Sequence, residues 1–392
     1  MCDSGSPPDD TSTADDTGDD SGGPDDSSTE SGDDSGDDSG DDTADDSGDT
    51  SGWIDTPPDC TTPVASFHGA DHSIMDLTSA FLAGTYTTID QPGTLWVCPS
   101  TWFARVILRA DIHVVGLGAD PADTILSAGE VGTILDVGGP FTYTVENLTL
   151  DRGAGLDKSH NSGGGGIFCC GDGTACQIKS GKSRSTVVVD DVVFTNNTGN
   201  DGAAFYGLEC DFDVRNSYVA DNHADDDGGA VSLWFSTVTL DSVTFDNNWG
   251  LDGGVMALFY SSATIANSIL SNNTGGNYSA GIWASYESTL DISDTVFENN
   301  TNEELYTSAY GGAIIAFETA TLERVSFVDN SAPKGGGLFV YYDAVITGVD
   351  CDFSGNETDD IWAADYSDEG GVSYTAGADY SFACADNACT PK

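Results

Sequence analysis

The chain has 392 residues and carries 66 acidic against 11 basic residues, a formal net charge of -55. So acidic a surface repels nucleic acid and anionic lipid headgroups, which excludes both as expected partners, whereas Ca²⁺ suits its carboxylates. No apolar run approaches the roughly 18 residues of a transmembrane helix.

The N-terminal segment is a Ser-Gly-Asp tract. Residues 1–52 contain 19 acidic residues and no Lys or Arg. A segment with so few apolar residues cannot bury enough surface to fold. We therefore predict a disordered acidic stalk over residues 1–52 and an ordered domain over residues 53–392.

Cys2 directly precedes this tract. A cysteine followed by an unstructured polar segment resembles a bacterial lipoprotein after removal of its signal peptide. The resemblance implies a lipid on Cys2 and an extracellular or bacterial cell-surface location in the outer membrane. An inner-membrane location is the alternative, because an Asp directly after the lipidated Cys, as Asp3 is here, retains some lipoproteins in that membrane.

The first predicted element of the domain is a helix over residues 73–83. Ile74, Leu77 and Phe81 have helical spacing, and Gly84 follows the segment. Ser73 is the expected N-cap, with Asp76 three residues later. We expect this helix to cap the end of a sheet.

A repeat of about 25 residues occupies residues 187–362. An apolar residue precedes an Asn by three positions seven times, and the successive Asn residues are 25, 26, 25, 27, 30 and 26 positions apart. The seven pairs are Phe194/Asn197, Val219/Asn222, Phe245/Asn248, Leu270/Asn273, Phe297/Asn300, Phe327/Asn330 and Phe353/Asn356. Small-residue turns such as Gly228-Gly229-Ala230-Val231 lie between them.

This period predicts a solenoid. It is too short for a propeller blade of about 40–45 residues, and it suits one coil of a right-handed, single-stranded parallel β-helix. The apolar residues would fill the interior, and the Asn residues would form a ladder that satisfies the turn amides. The fold class is therefore all-β, with a closing segment at about residues 370–392.

The repeat also resembles known proteins. Phe-x-x-Asn alternating with Gly-Gly-Ala-Ile, as at residues 311–314, is similar to the repeat of polymorphic outer membrane proteins. The segments Gly93–Val97, His113–Gly118 and Val145–Leu150 look like the opening coils of pectin-lyase-like β-helices. The resemblance implies the fold and leaves the function open, because the fold hosts many functions.

Ten cysteines indicate an oxidising compartment, since the five histidines are too scattered for a zinc site. The expected disulfides are Cys60–Cys98, Cys169–Cys210, Cys170–Cys176 and Cys384–Cys389. With Cys2 set aside the number is odd, and Cys351 is the expected free thiol.

Three acidic residues each precede a glycine turn: Asp201, Asp227 and Asp252. Stacked coils would place them about 5 Å apart. Three interpretations remain open, namely solvated turn residues, a calcium site, and a catalytic carboxylate pair.

An aromatic ribbon is predicted on the outer face of one sheet. Residues such as Phe205 and Val231 should point inward, so alternate neighbours should point outward. The aromatic ribbon consists of Tyr206, Trp234, Phe259, Trp283, Phe317, Phe339 and Tyr341. It would bind a glycan or a protein unless a loop covers it or the alternation is reversed.

We expect a cell-surface or secreted β-helix that acts in adhesion, surface display or binding of glycans or proteins, without evident catalysis. The alternative is a polysaccharide-degrading enzyme, either a lyase or a glycoside hydrolase. The signatures of polygalacturonases, such as Gly-His-Gly, are absent from the sequence. A structural coat protein is a third interpretation.

Overall fold

The computed structural model describes residues 56–155, 163–171, 184–303, 310–365, 370–385 and 388–392, all within the unit Thr50–Lys392. Cys2, Cys176 and the predicted stalk lie outside the described residues. In the described part of the chain, no helix has the length and apolar character needed to cross a bilayer.

Within the described residues, strands in three sheets build the domain. Sheet A has 21 strands: Ala65–Gly69, Ile74–Asp76, Gly93–Val97, Ser100–Phe103, Ile112–Gly116, Thr124–Ser127, Thr142–Asp151, Ser185–Thr195, Cys210–Arg215, Tyr218–Ala220, Thr237–Asp241, Thr244–Asp246, Ser262–Ala266, Ile269–Ser271, Thr289–Ser293, Val296–Glu298, Thr319–Glu323, Ser326–Val328, Val345–Ser354, Tyr380–Ala385 and Ala388–Pro391. Sheet B has 12 strands: Tyr86–Ile89, Arg105–Leu108, Leu135–Gly138, Ile167–Cys170, Phe205–Leu208, Val231–Trp234, Met256–Phe259, Ile282–Ser285, Ile314–Ala316, Leu338–Val340, Ile361–Ala364 and Gly371–Tyr374. Sheet C has five: Thr198–Gly199, His223–Asp227, Trp249–Asp252, Thr274–Gly275 and Thr301–Asn302.

One coil passes through the three sheets in turn. From Val231–Trp234 in sheet B, the chain runs through Thr237–Asp241 and Thr244–Asp246 in sheet A and then Trp249–Asp252 in sheet C. It returns to sheet B at Met256–Phe259, which pairs in parallel with Val231–Trp234. The predicted parallel β-helix is therefore confirmed.

The interior is a stack of apolar columns. The residues that precede the repeated Asn by three positions are neighbours in register and buried, as predicted: Phe194, Val219, Phe245, Leu270, Phe297, Phe327 and Phe353. Phe297, Phe327 and Phe353 stack with ring centroids 5.4 and 4.7 Å apart. One continuous core thus runs along the solenoid.

The predicted Asn ladder runs beside this core. Asn222 Nδ2 donates to Asn248 Oδ1 at 3.0 Å, and the backbone N–H of Asn222 donates to the same oxygen at 3.1 Å. Equivalent bonds continue from Asn197 to Asn356. The ladder satisfies buried turn groups that would otherwise destabilise the coils from Asn197 to Asn356.

Residues with positive φ bend the coil at fixed places. Ser242 (φ 60°) lies between two sheet A strands, Asn247 (φ 54°) precedes the ladder, and Gly228 (φ 61°) leads into sheet B. A Cβ on Gly228 would approach Val231 O to 1.9 Å, so only glycine fits there.

At the N-terminal end, the predicted helix over residues 73–83 is wrong in its first half. The helix is Thr78–Ala83, and Ile74–Asp76 is instead a strand that pairs antiparallel with Ala65–Gly69. Residues 74–76 form a strand and not a helical turn because the strand covers an edge of sheet A. Ser73 is therefore not the N-cap of the helix. Phe81 is buried against Trp102, with ring centroids 6.3 Å apart, so the shortened helix does pack onto the end of the core.

The closing segment covers the other end. Gly371–Tyr374 pairs antiparallel with Ile361–Ala364, and Tyr380–Ala385 pairs antiparallel with Val345–Ser354. Phe382 is buried there against Phe353, with ring centroids 6.1 Å apart.

Disulfides tie neighbouring parts of the chain together. The structure joins three of the predicted pairs, Cys60–Cys98, Cys169–Cys210 and Cys384–Cys389. Cys170 is disulfide-bonded. Cys351 is a buried free thiol among the described residues.

Candidate functional site

The outer face of sheet B carries the aromatic ribbon. The inward residues of the same strands, such as Phe205 and Met256, belong to the main core. Ile315 and Phe339 form a separate apolar cluster together with partly buried rings, among them Trp283. Side chains therefore alternate between two faces of this sheet, as the sequence predicts.

The ribbon lies on the outer face, but it is less exposed than the sequence predicts. Tyr206, Phe259 and Phe339 are 1%, 2% and 0% exposed. The other four members of the ribbon, Trp234, Trp283, Phe317 and Tyr341, are half-buried.

The ribbon is partly covered because its rings pack on one another and on additional rings from the turns. Trp234 stacks on Phe259 with centroids 4.1 Å apart. Tyr278, from the turn that enters sheet B, stacks on Trp283 at 4.8 Å. The alternation in the sequence identifies the face of the sheet on which a side chain lies. Whether residues of a turn bury that side chain depends on the path of the chain.

A second set of rings occupies the turn where sheet B ends. Phe235, Tyr260 and Tyr286 stack along the solenoid with successive centroids 4.8 and 5.5 Å apart, and we call them the turn ladder. Tyr260 and Tyr286 are 40% and 52% exposed. All three have φ near +50°. Bulky residues rarely adopt this conformation, but it recurs at this turn, since Glu209 has φ 55° at the same place in its coil.

A groove lies beside the turn ladder, with a volume of about 300 Å³. This sheet B groove is lined by Tyr278, Trp283, Ser285, Tyr286, Phe317, Glu318, Tyr341 and Asp343. Ligand sites commonly combine aromatic walls with a few polar groups, and grooves of this size fall at the small end of their range.

Carboxylates cluster ahead of the sheet B strands Val231–Trp234 and Met256–Phe259, which lead into Phe235 and Tyr260 of the turn ladder. Asp226, Asp227 and Asp252 each place an oxygen within 4.8 Å of the others, and we call them the acidic cluster. Of the three residues predicted to stack, Asp227 and Asp252 pair in register, while Asp201 is not part of this cluster. Asp201 Oδ1 instead accepts the backbone N–H of Asp227 at 3.3 Å.

The surroundings make these carboxyl groups hard to ionise. Burial raises the pKa of Asp252 to about 6, although hydrogen bonds from Asn277 and Tyr278 lower it. Burial, together with the charges of Asp201 and Asp226, holds the pKa of Asp227 well above its ordinary range.

The acidic cluster adjoins the groove through one turn. Asp252 Oδ1 accepts the backbone N–H of Tyr278 at 3.4 Å and Asn277 Nδ2 at 2.8 Å. Tyr278 itself lines the groove. The carboxylates and the aromatic walls therefore lie on one side of the solenoid.

The family of right-handed beta helix regions matches residues 158–383, more than half of the chain. This chain belongs to the right-handed β-helix family. Its fold fits the pectin-lyase-like superfamily. No curated protein and no solved structure matches the chain.

In this right-handed β-helix protein, the acidic cluster supplies the type of oxygen that Ca²⁺ prefers. Three carboxylates cover only part of the six to eight ligands that Ca²⁺ takes. Calcium at Asp201, Asp227 and Asp252 therefore stays a prediction, with Asp226 replacing Asp201 in the geometry.

The sequence indicated part of the groove of this right-handed β-helix protein. Trp283, Phe317 and Tyr341 belong to the predicted ribbon, but Tyr278 and Tyr286 do not. Tyr286 follows the strand Ile282–Ser285 directly, as Tyr260 follows Met256–Phe259, so the repeat itself held the signal for the turn ladder.

Proposed function

We propose that this protein is a cell-surface or secreted β-helix that binds a glycan in the sheet B groove and along the turn ladder. The observation that carries the proposal is the exposed stack of Tyr260 and Tyr286 beside an open groove with aromatic walls. Adhesion and surface display are the biological settings that such binding serves.

Aromatic rings suit sugars because they offer a flat apolar surface to the C–H face of a pyranose. Carboxylates at the groove provide acceptors for the sugar hydroxyls. Glu318 and Asp343 line the groove, and Glu287 lies at the neighbouring depression beside Tyr260. Rings and acceptors at successive coils favour an extended chain of sugars over a single ring.

The similarity of the repeat to polymorphic outer membrane proteins and the disulfides support a location outside the cytoplasm. The lipid on Cys2 is part of this proposal as the tether to the membrane.

Affinity electrophoresis against immobilised polysaccharides tests the binding. We expect retention by at least one polysaccharide, weakened about three- to tenfold by Tyr286→Ala because one stacking surface is lost. Tyr218→Ala is the matched control, since Tyr218 is 41% exposed but lies on sheet A. Equal retention of both variants would overturn the assignment to the groove.

Glycoside hydrolysis is the second candidate function, and the acidic cluster is the observation that favours it. Glycosidases use one protonated and one ionised carboxyl group, about 5 Å apart in retaining enzymes and 6.5–9.5 Å apart in inverting ones. The raised pKa values of Asp227 and Asp252 suit the protonated partner. Release of reducing ends from a retained polysaccharide, abolished by Asp227→Asn, would establish this activity in place of binding alone.

A further inference from the structure

We infer that the sheet B groove recognises an ammonium group, so that the glycan bound there contains amino sugars with free amines. This inference rests on the proposed function and names the chemical class of its ligand.

The groove is lined mainly by aromatic and acidic residues. Five of its eight lining residues are aromatic, and two are acidic, Glu318 and Asp343. A ring presents its negative face to a cation, and several rings together with carboxylates form the usual binding site for alkylammonium groups. Among the described residues, no Lys, Arg or His lines this groove.

The same aromatic face already holds an ammonium group of this chain. Lys334 Nζ lies 5.0 Å from the ring centroid of Tyr310 and 5.5 Å from that of Trp362. Tyr310 and Trp362 pack in the same cluster as Trp283, Phe317 and Tyr341, which line the groove. The face therefore attracts a cation at one place, and the groove presents the same kinds of ring together with two carboxylates.

Acidic sugars do not suit this groove. Arg184, at the neighbouring depression, donates to Asp211 Oδ1 at 2.6 Å and to Phe235 O at 2.8 Å. It is thus not aimed at a ligand carboxylate. A net charge of -55 also repels uronic acids and attracts polycations at long range.

Two oligosaccharides that differ only at the amine provide the test. The intact chain is titrated with a glucosamine hexamer and with an N-acetylglucosamine hexamer at about pH 6, where amines of this kind are charged. We expect the glucosamine hexamer to bind about tenfold more tightly, the upper part of the range for cation–π attraction. Tetramethylammonium should displace it, because the recognised group is the cation.

Charge-neutral variants connect the preference to the groove. Glu318→Gln with Asp343→Asn should remove most of the tenfold difference. The matched control is Glu298→Gln with Asp291→Asn, which removes the same charge from exposed positions on sheet A and should leave the difference intact.

The outcomes separate the inference from the proposed function. Equal or tighter binding of the acetylated hexamer would overturn the ammonium inference and leave glycan binding in place. Binding of neither hexamer, with retention by another polysaccharide, would overturn it as well. Binding of tetramethylammonium without either hexamer would also overturn the inference, because the groove would then take no amino sugar.

Discussion

Asn248 Nδ2 donates to Asn273 Oδ1 at 3.0 Å, although the two residues are 25 positions apart in the chain. The same Nδ2 donates to Val219 O at 2.9 Å, so the amide joins three successive coils. Asn248 Oδ1 in turn accepts from the backbone N–H and the side chain of Asn222. One buried side chain thus holds four hydrogen bonds across the stack.

Replacing Asn248 by Ala should lower the free energy of unfolding by about 2–4 kcal/mol, because buried donors and acceptors on three coils lose their partners. Asn247→Gly is the control, since Asn247 is exposed and glycine keeps its positive φ. Urea unfolding followed by circular dichroism measures both. Similar losses for the two variants would contradict the role of the ladder.

The disulfides should differ in their contribution according to the length of chain that they close. Cys169–Cys210 closes a sequence separation of 41 residues and Cys384–Cys389 one of 5. Loop entropy predicts losses of about 4 and about 2 kcal/mol when each pair is replaced by alanines. Thermal unfolding of the two double variants checks this order, which would fail if the Cys384–Cys389 variant unfolded first.

The sequence predicted the coil and its columns because these depend on a period that repeats seven times. Phe245 and Asn248 hold the same places in their coil as Phe297 and Asn300 do in theirs. The capping helix and the cover of Phe339 occur once each, so no repetition reinforced them. Ile74 illustrates the difference. Its spacing suits a helix, but in the folded protein it lies beside the edge of sheet A and pairs there as a strand.

The acidic cluster should make stability depend on pH. Asp252 has a pKa of about 6 in the folded protein, above its ordinary value near 3.9, so the folded state binds more protons between these values. Stability should therefore fall as the pH rises from about 4 to about 6 and remain lower above that. Asp252→Asn should raise the free energy of unfolding at about pH 7.5 by on the order of 1 kcal/mol, and change little at about pH 4.

Unfolding titrations in a chelator measure this effect without interference from metal ions. Asp241→Asn is the control, because Asp241 lies on sheet A, away from the cluster. Adding Ca²⁺ to the parent protein tests the calcium prediction, since a bound ion would raise its stability above about pH 6 and have no such effect on Asp252→Asn. If the free energy of unfolding of the parent protein did not change with pH, the destabilising effect of the Asp252 charge would be contradicted.

Replacing a ring of the turn ladder should weaken glycan binding with little change in stability. Tyr260 has φ 50°, which strains a bulky residue, and its ring stacks between Phe235 and Tyr286. Tyr260→Asn keeps a side chain that tolerates this conformation while removing the ring. Stability should therefore change by less than about 1 kcal/mol, because relief of strain offsets the lost stacking. Glycan affinity should fall about three- to tenfold, as for Tyr286→Ala.

A residue that served stability alone would behave differently. If Tyr260 served the fold alone, its replacement would lower stability and leave the affinity of the folded protein unchanged. Strain at an exposed ring is tolerated where the ring contributes to function, as stability is commonly sacrificed at binding sites. Thermal unfolding and affinity electrophoresis on the same preparation of Tyr260→Asn decide between the two roles.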